Sequence, residues 1–197
     1  MWLCMDIIDR ITEYCSENKN IKAVELGNLG DYTCRNTLRM LNLNQSLILH
    51  RVCLWKDSIY NADTWDEEGE KSLKLFRDRR QLINGLFDES SYSFVDSSLN
   101  FVFFSSDYPK VNDLLLWIPK VIDNGIIFGS FINNGIIKEI KSLFGDGIKI
   151  DEFDDKSWKL FGINNEVRKL AIKNSKREGD WNESGYFESN NAELRPF

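Results

Sequence analysis

The residue types that bind metals or form disulfide bonds are few and widely spaced in this chain. Its four cysteines lie at positions 4, 15, 34 and 53, so no Cys-x-x-Cys pair occurs, and His50 is the single histidine. A zinc site of the usual ligand spacing therefore lacks ligands. We expect the cysteines to be reduced thiols. We interpret His50, which lies in the middle of an apolar segment, as a structural residue.

A carboxylate that stands directly before a glycine-bearing turn is the second feature with chemical potential. Residues 24–33 read VELGNLGDYT, in which Glu25 lies near the end of an apolar stretch and is followed by Gly27 and Gly30. Glycine allows a backbone to approach a ligand closely, and a carboxylate accepts hydrogen bonds from ligand donors. The alternatives remain that the glycines only form a turn and that Glu25 is an ordinary solvated charge.

The composition limits the class of protein. The chain has 197 residues, of which 42% are hydrophobic and 28% charged, which suits one domain with a substantial core. Its net charge is -6 and it has no long basic block, so we expect no nucleic-acid partner. It also lacks an apolar run of about eighteen residues, and its N-terminus does not resemble a signal peptide. We therefore expect no membrane segment and a cytoplasmic location.

The elements that must position these residues alternate between helix and strand. Apolar spacing and capping signals predict, in chain order, a helix up to about Ser16, a strand over Ile21–Leu26, a helix that starts near Asp31 or Thr33, a strand over Ser46–Leu54, a helix over Trp65–Arg79 and a short strand near Gln81. The continuous apolar run Leu99–Phe104 is typical of a central parallel strand. Pro109 starts a helix through Val121, which Asn124-Gly125 ends before a strand at Ile126–Phe128.

The last elements predict how the sheet ends. A helix from about Asn133 closes at Gly145, and Ile148–Phe153 and Ser157–Phe161 follow as two strands. Their link is too short for a parallel crossover, so they must form an antiparallel hairpin. We predict one α/β domain over residues 1–162, and a polar C-terminal tail over residues 163–197 that is partly disordered or packed on the domain.

The order of these elements resembles that of class I S-adenosylmethionine-dependent methyltransferases. Residues 24–33 look like the Glu-x-Gly nucleotide-binding turn of that family, and Cys53-Leu-Trp55 stands where its small-molecule O-methyltransferase branch commonly has an acid followed by Trp. Residues 100–108, 117–127 and 157–158 resemble its fourth strand and acidic loop, its helix, Gly turn and fifth strand, and its last strand. The resemblance implies a Rossmann-like α/β fold with a mostly parallel seven-stranded sheet, a final antiparallel strand and helices on both faces.

The resemblance also implies S-adenosylmethionine as cofactor and names the residues of a site. The implied cofactor-binding residues are Glu25, Gly27, Asn28, Gly30, Cys53, Trp55, Asp88 and Ser105. Asp107 is the candidate base for a substrate hydroxyl, and its alternative role is a turn or helix-cap residue beside Pro109. Trp55 and Asp88 likewise have alternatives as a core residue and a loop residue.

The chain departs from the family pattern at several of these positions. Asp31 replaces a glycine, and Cys53 replaces the carboxylate that usually holds the ribose hydroxyls, a role that Asp57 could take instead. Ser105 and Ser130-Phe131 stand where metal-using members carry acids or histidine. Because Asp107 alone cannot hold Mg²⁺, we predict no catalytic metal.

These features predict a metal-independent S-adenosylmethionine-dependent methyltransferase that acts on a hydroxyl of a sugar or small metabolite. The alternative is a catalytically inactive, methyltransferase-like binding or scaffold protein, as the replaced site residues suggest. Another nucleotide-binding α/β enzyme is a third possibility, but the Gly-x-Gly-x-x-Gly motif that would favour it is absent. The expected partner is a small-molecule substrate, and a homo-oligomer is compatible with the sequence.

Overall fold

The computed structural model describes residues 3–27, 31–53, 74–105, 109–131 and 134–175. The strands in these ranges are β1 (Ile21–Leu26), β2 (Leu47–Cys53), β3 (Arg80–Asn84), β4 (Leu99–Phe104), β5 (Val121–Gly129), β6 (Lys149–Glu152) and β7 (Trp158–Phe161). The helices are α1 (Leu3–Glu17), α2 (Asp31–Leu43), α3 (Phe87–Ser91), α4 (Val111–Trp117), α5 (Asn134–Phe144) and α6 (Asn165–Asn174). Most of the predicted helix Trp65–Arg79 lies outside these ranges.

The strands form one sheet in the order β3-β2-β1-β4-β5-β7-β6. Neighbours from β3 to β5 run parallel, whereas β7 is antiparallel to both β5 and β6. This architecture confirms the predicted fold class, including the C-terminal hairpin and the central position of Leu99–Phe104. The chain direction across the sheet reverses between β1 and β4, which is where open α/β sheets bind ligands.

Successive side chains of each strand point to opposite faces of the sheet, and helices cover both faces. On one face α1 and α2 pack against the sheet, and the buried residues of this layer include Ile7, Ile11, Met40, Ala23 and Leu49. On the other face α3 to α6 supply the cover, with Leu114, Trp117, Ile140, Val167 and Trp158 among its buried residues. We call these the α1/α2 face and the α3–α6 face.

The transition from α4 to β5 differs from the prediction. The helix ends at Trp117 and passes through a short turn, Ile118–Lys120, and Val121 already begins the strand. Pro119 has no N–H to continue the helical hydrogen bonds. Asn124, at φ 61°, lies within β5 where its register with β4 shifts, so Asn124-Gly125 forms an irregularity in a strand rather than a helix stop. A Cβ on Gly125 would lie 2.6 Å from the Asn100 carbonyl oxygen.

Part of the polar C-terminal segment folds against the domain. Asn164 caps α6 by accepting hydrogen bonds from the backbone N–H groups of Glu166 and Val167, each at 3.0 Å. Val167 and Ala171 are buried in the core of the α3–α6 face. Residues 176–197 lie outside the described ranges. Among the described residues, no helix is both long and apolar enough to cross a membrane.

Candidate functional site

The carboxyl ends of β1, β2 and β4 meet at one edge of the sheet. The Gly27 N–H donates to the Val52 carbonyl at 3.2 Å, and the Ser105 N–H donates to the Leu26 carbonyl at 2.8 Å. Because Cys53 ends β2 directly after Val52, the structure brings Glu25, Gly27, Cys53 and Ser105 to the same edge. These residues are far apart in sequence, and they lie close together because their strands are parallel and in register.

Glu25 is the most deeply buried ionisable residue at this edge. Its side chain has no exposed surface, and it lies on the α1/α2 face. The Thr37 hydroxyl of α2 donates a hydrogen bond to Oε2 of Glu25. Oε1 of Glu25 is buried and makes no hydrogen bond. One oxygen of the carboxylate is therefore held and the other is left to accept a donor.

The pKa of Glu25 reflects this burial. Loss of hydration raises the pKa above the ordinary value of a glutamic acid, because burial penalises the ionised form. The nearby charge of Arg51 and the hydroxyl of Thr37 act in the opposite direction. The Ser105 hydroxyl donates to the Leu26 carbonyl at 3.1 Å, so its hydrogen is not directed at the carboxylate.

Arg51 and Thr37 are residues of this site that the sequence analysis did not single out. Arg51 is the register partner of Glu25 on β2 and is 2% exposed. The sequence does indicate that Arg51 is buried. Leu47, Leu49 and Arg51 are alternate residues of one strand, so their side chains point to the same face of the sheet. Thr37 had no comparable signal, because its role depends on how α2 packs over β1.

Asp88 follows β3 at the carboxyl edge of the sheet, whereas His50 faces the side opposite to Glu25. Asp88 is in the first turn of α3, which follows β3, and its Oδ1 accepts the backbone N–H of Glu89 at 2.9 Å. His50 alternates with Arg51 and so faces the α3–α6 side, where its ring meets Phe94 edge-on at 5.4 Å. Burial, and then the charge of Lys22, lowers the pKa of His50. These contacts agree with a structural role for His50.

The remaining predicted positions lie outside the described residues. They are Asn28, Gly30, Trp55, Asp57 and Asp107. The candidate base and part of the glycine turn are among these residues. Within the described ranges, no group of three or more His, Cys, Asp or Glu side chains could hold a metal ion.

Comparison with known proteins gives a likeness in fold. No family model matches the sequence, and no curated protein matches it. A candidate caffeoyl-CoA O-methyltransferase from Staphylococcus aureus has a TM-score of 0.57 at 11% identity, over 78% of this chain and 80% of that chain. A candidate O-methyltransferase from Nostoc punctiforme has a TM-score of 0.51 at 10% identity, over 80% of this chain and 56% of that chain.

A candidate spermidine synthase from Corynebacterium glutamicum is also similar. Its TM-score is 0.52 at 12% identity, over 82% of this chain and 64% of that chain. At sequence identities this low, structural similarity shows a shared arrangement of the backbone and does not show a shared reaction. The order of the strands, their directions and these structural neighbours agree, and the chain has the Rossmann-like fold that these methyltransferase structures have.

Proposed function

We propose that this protein binds S-adenosylmethionine at the carboxyl ends of β1, β2 and β4 and catalyses methyl transfer to a hydroxyl of a sugar or small metabolite. The observation that carries the proposal is Oε1 of Glu25, a buried acceptor without a hydrogen bond at the edge where the sheet reverses direction. Buried polar groups in folded proteins nearly always make a hydrogen bond, so we expect a ligand to donate one to this oxygen.

The residues present fit the cofactor. Its methionine end carries an ammonium group and its ribose carries hydroxyls, all of which can donate to a carboxylate oxygen. The backbone N–H groups of Gly27 and Ser105 already donate within the sheet edge, so they do not serve as donors to a ligand. Glu25 would therefore hold a donor group of the cofactor, and the absence of a side chain at Gly27 would leave room for it.

The bound cofactor supplies an electrophilic methyl group. The protein's part is to orient the acceptor, exclude water and hold the two reactants in line. Asp107 remains our proposed base for the acceptor hydroxyl. Because the proposed reaction uses no metal ion, we expect cofactor binding and turnover to be unchanged by EDTA or added Mg²⁺.

Calorimetric titration of the full chain with S-adenosylmethionine and S-adenosylhomocysteine tests the proposal. We expect saturable binding at micromolar concentrations. Gly27→Val should abolish binding, because its side chain would occupy the space where backbone and ligand meet. Gly147→Ala is the control, since a Cβ there meets only a Val167 methyl at 3.8 Å.

Replacement of Cys53 by Asp restores the carboxylate that the family places there. If the ribose reaches this position, binding should tighten by about 1.5–3 kcal/mol, the value of a charge-assisted hydrogen bond. Absence of binding at millimolar cofactor, or unchanged binding by folded Gly27→Val, overturns the proposal. That result would favour a catalytically inactive binding or scaffold protein.

A further inference from the structure

A second polar cluster lies at the same edge of the sheet, beside the turn between β6 and β7. Ser130 directly follows β5, and its N–H donates to the Phe104 carbonyl at 3.0 Å, which ties it to the end of β4. Gly129 pairs with Trp158 across the antiparallel β5 and β7, so Ser130 and Ser157 occupy the next opposing positions. Asp155 lies in the turn that leads into Ser157.

The polar atoms of this cluster are buried and only partly paired. Ser130, Asp155 and Ser157 are 4%, 9% and 0% exposed. Oδ1 of Asp155 accepts the Ser157 N–H at 2.9 Å and the Ser157 hydroxyl at 2.5 Å. Oδ2 of Asp155 and Oγ of Ser130 are buried without a hydrogen bond. Buried polar atoms are nearly always hydrogen-bonded in folded proteins, so these two atoms indicate a place for a polar ligand.

The cluster faces the same side of the sheet as Glu25. Gly129 and Trp158 point to the α3–α6 face, where a Cβ on Gly129 would lie 2.2 Å from the indole, so the alternating Ser130 and Ser157 point to the α1/α2 face. Ser130 follows the strand next to the one that Ser105 follows, and neighbouring strands lie about 4.8 Å apart. The cluster therefore lies one strand away from Ser105, at the edge where we propose that the cofactor binds.

The chemistry of the cluster indicates the class of ligand. An ionised carboxylate oxygen only accepts hydrogen bonds, whereas a serine hydroxyl both donates and accepts. On the same turn, the Arg10 guanidinium of α1 lies 3.5 Å over the Phe153 ring, and its buried Nε donates no hydrogen bond. The free oxygens of Asp155 and Ser130 suit a ligand that carries several hydroxyl groups, because a hydroxyl group can donate to the carboxylate and can both donate to and accept from the serine.

We propose that Asp155 and Ser130 bind the methyl acceptor and that this acceptor is a polyhydroxylated small molecule, one hydroxyl of which donates to Oδ2 of Asp155. The inference rests on the proposed function and extends it by giving the acceptor site and its chemistry. Asp155 and Ser130 act here in binding, and the transfer step places no proton on either residue. The alternative is that an internal water molecule, sealed from solvent, hydrogen-bonds to Oδ2 of Asp155 and Oγ of Ser130.

Binding of named polyols to the full chain tests the proposal. Glucose, rhamnose and myo-inositol are titrated at millimolar concentrations, with and without S-adenosylhomocysteine, and followed by saturation-transfer NMR. We expect at least one to bind and Asp155→Asn to weaken it by about tenfold or more, because the amide places a donor where Oδ2 accepted. Asp154→Asn is the matched control, as Asp154 is exposed in the same turn. Ser130→Ala provides a second variant that leaves the Asp155–Ser157 hydrogen bonds in place.

The outcomes separate this inference from the proposed function. If S-adenosylhomocysteine binds but no polyol does, or if folded Asp155→Asn and Ser130→Ala bind the polyol as tightly as wild type, the inference is overturned alone. If a polyol binds through Asp155 while S-adenosylhomocysteine does not bind, the site stands as a polyol site and the proposed function fails. A crystal structure in which a water sealed from solvent satisfies both oxygens also overturns the inference.

Discussion

Glu25 and Arg51 face each other in register across the parallel strands β1 and β2, and both are almost completely buried. Their neighbours on the same face, Ala23 and Leu49, belong to an apolar core, so the two charges interrupt that core close to its carboxyl edge. Removing charges from water is costly, and apolar residues often replace buried ion pairs without loss of stability. Packing alone therefore does not account for Glu25 and Arg51, and both are candidates for a functional role at the edge where α/β sheets bind ligands.

Glu25→Gln should change how stability depends on pH. Burial raises the pKa of Glu25 in the folded state, so the unfolded chain loses this proton at lower pH than the folded chain does. Wild type therefore loses stability from this group as the pH rises through the interval between about 4.3, the ordinary value, and the raised folded pKa. The glutamine variant lacks this loss. Urea unfolding from pH 4 to pH 8 should show the variant gaining stability relative to wild type as the pH rises, and a constant difference would contradict the assignment.

Thr37→Val should destabilise the protein although the side chain keeps its shape. The substitution removes the hydroxyl that donates to Oε2 of Glu25 and leaves the buried carboxylate without that hydrogen bond. The expected loss is about 1–3 kcal/mol of unfolding free energy, the cost of an unsatisfied buried polar group. Thr37→Ser keeps the donor and is the control. Equal stability of the valine and serine variants would show that the hydrogen bond contributes nothing.

Gly129→Ala should be strongly disfavoured because of its contact with Trp158. An added Cβ would lie 2.2 Å from the indole ring, which is buried and cannot move aside cheaply. Overpacking of this kind costs typically about 1–3 kcal/mol, which thermal and urea unfolding would detect. Gly147→Ala adds the same methyl group 3.8 Å from Val167 and should have a small effect. The same loss for both variants would mean that the indole contact does not set the cost.

Cys15 should be inert towards alkylation in the folded protein. The thiol is 4% exposed, and burial raises the pKa of Cys15 to about 12. Since the thiolate is the reactive form, iodoacetamide at pH 8 should label this residue only after unfolding. Peptide mapping by mass spectrometry, with and without denaturing urea, measures the protection. Equal labelling rates in the two conditions would contradict the packing of α1 against the sheet.

Local features of the sequence are enough to predict the class of fold and the principal strands of the sheet. Apolar runs such as Leu99–Phe104, and a link too short for a crossover between Ile148–Phe153 and Ser157–Phe161, are local properties that leave few topologies open. The order of residues 24–33 also predicts that Glu25 lies near the end of a strand, directly before a glycine-bearing turn. Local turn chemistry failed at Asn124-Gly125, because the same dipeptide suits a helix end and a strand irregularity, and only the pairing with β4 decided between them.

Which polar groups are buried, and which of them make no hydrogen bond, depends on how distant segments pack together. Burial of Glu25 depends on α2 packing over β1, and its partners Thr37 and Arg51 come from different elements. Ser130 and Ser157 oppose each other only because β5 and β7 are antiparallel and in a particular register. The spacing of apolar residues along the chain does not predict such contacts, because a hydrogen bond between distant segments depends on the positions of both backbones. The strands are specified by local apolar pattern, whereas the chemistry of the site is set by the contacts between them.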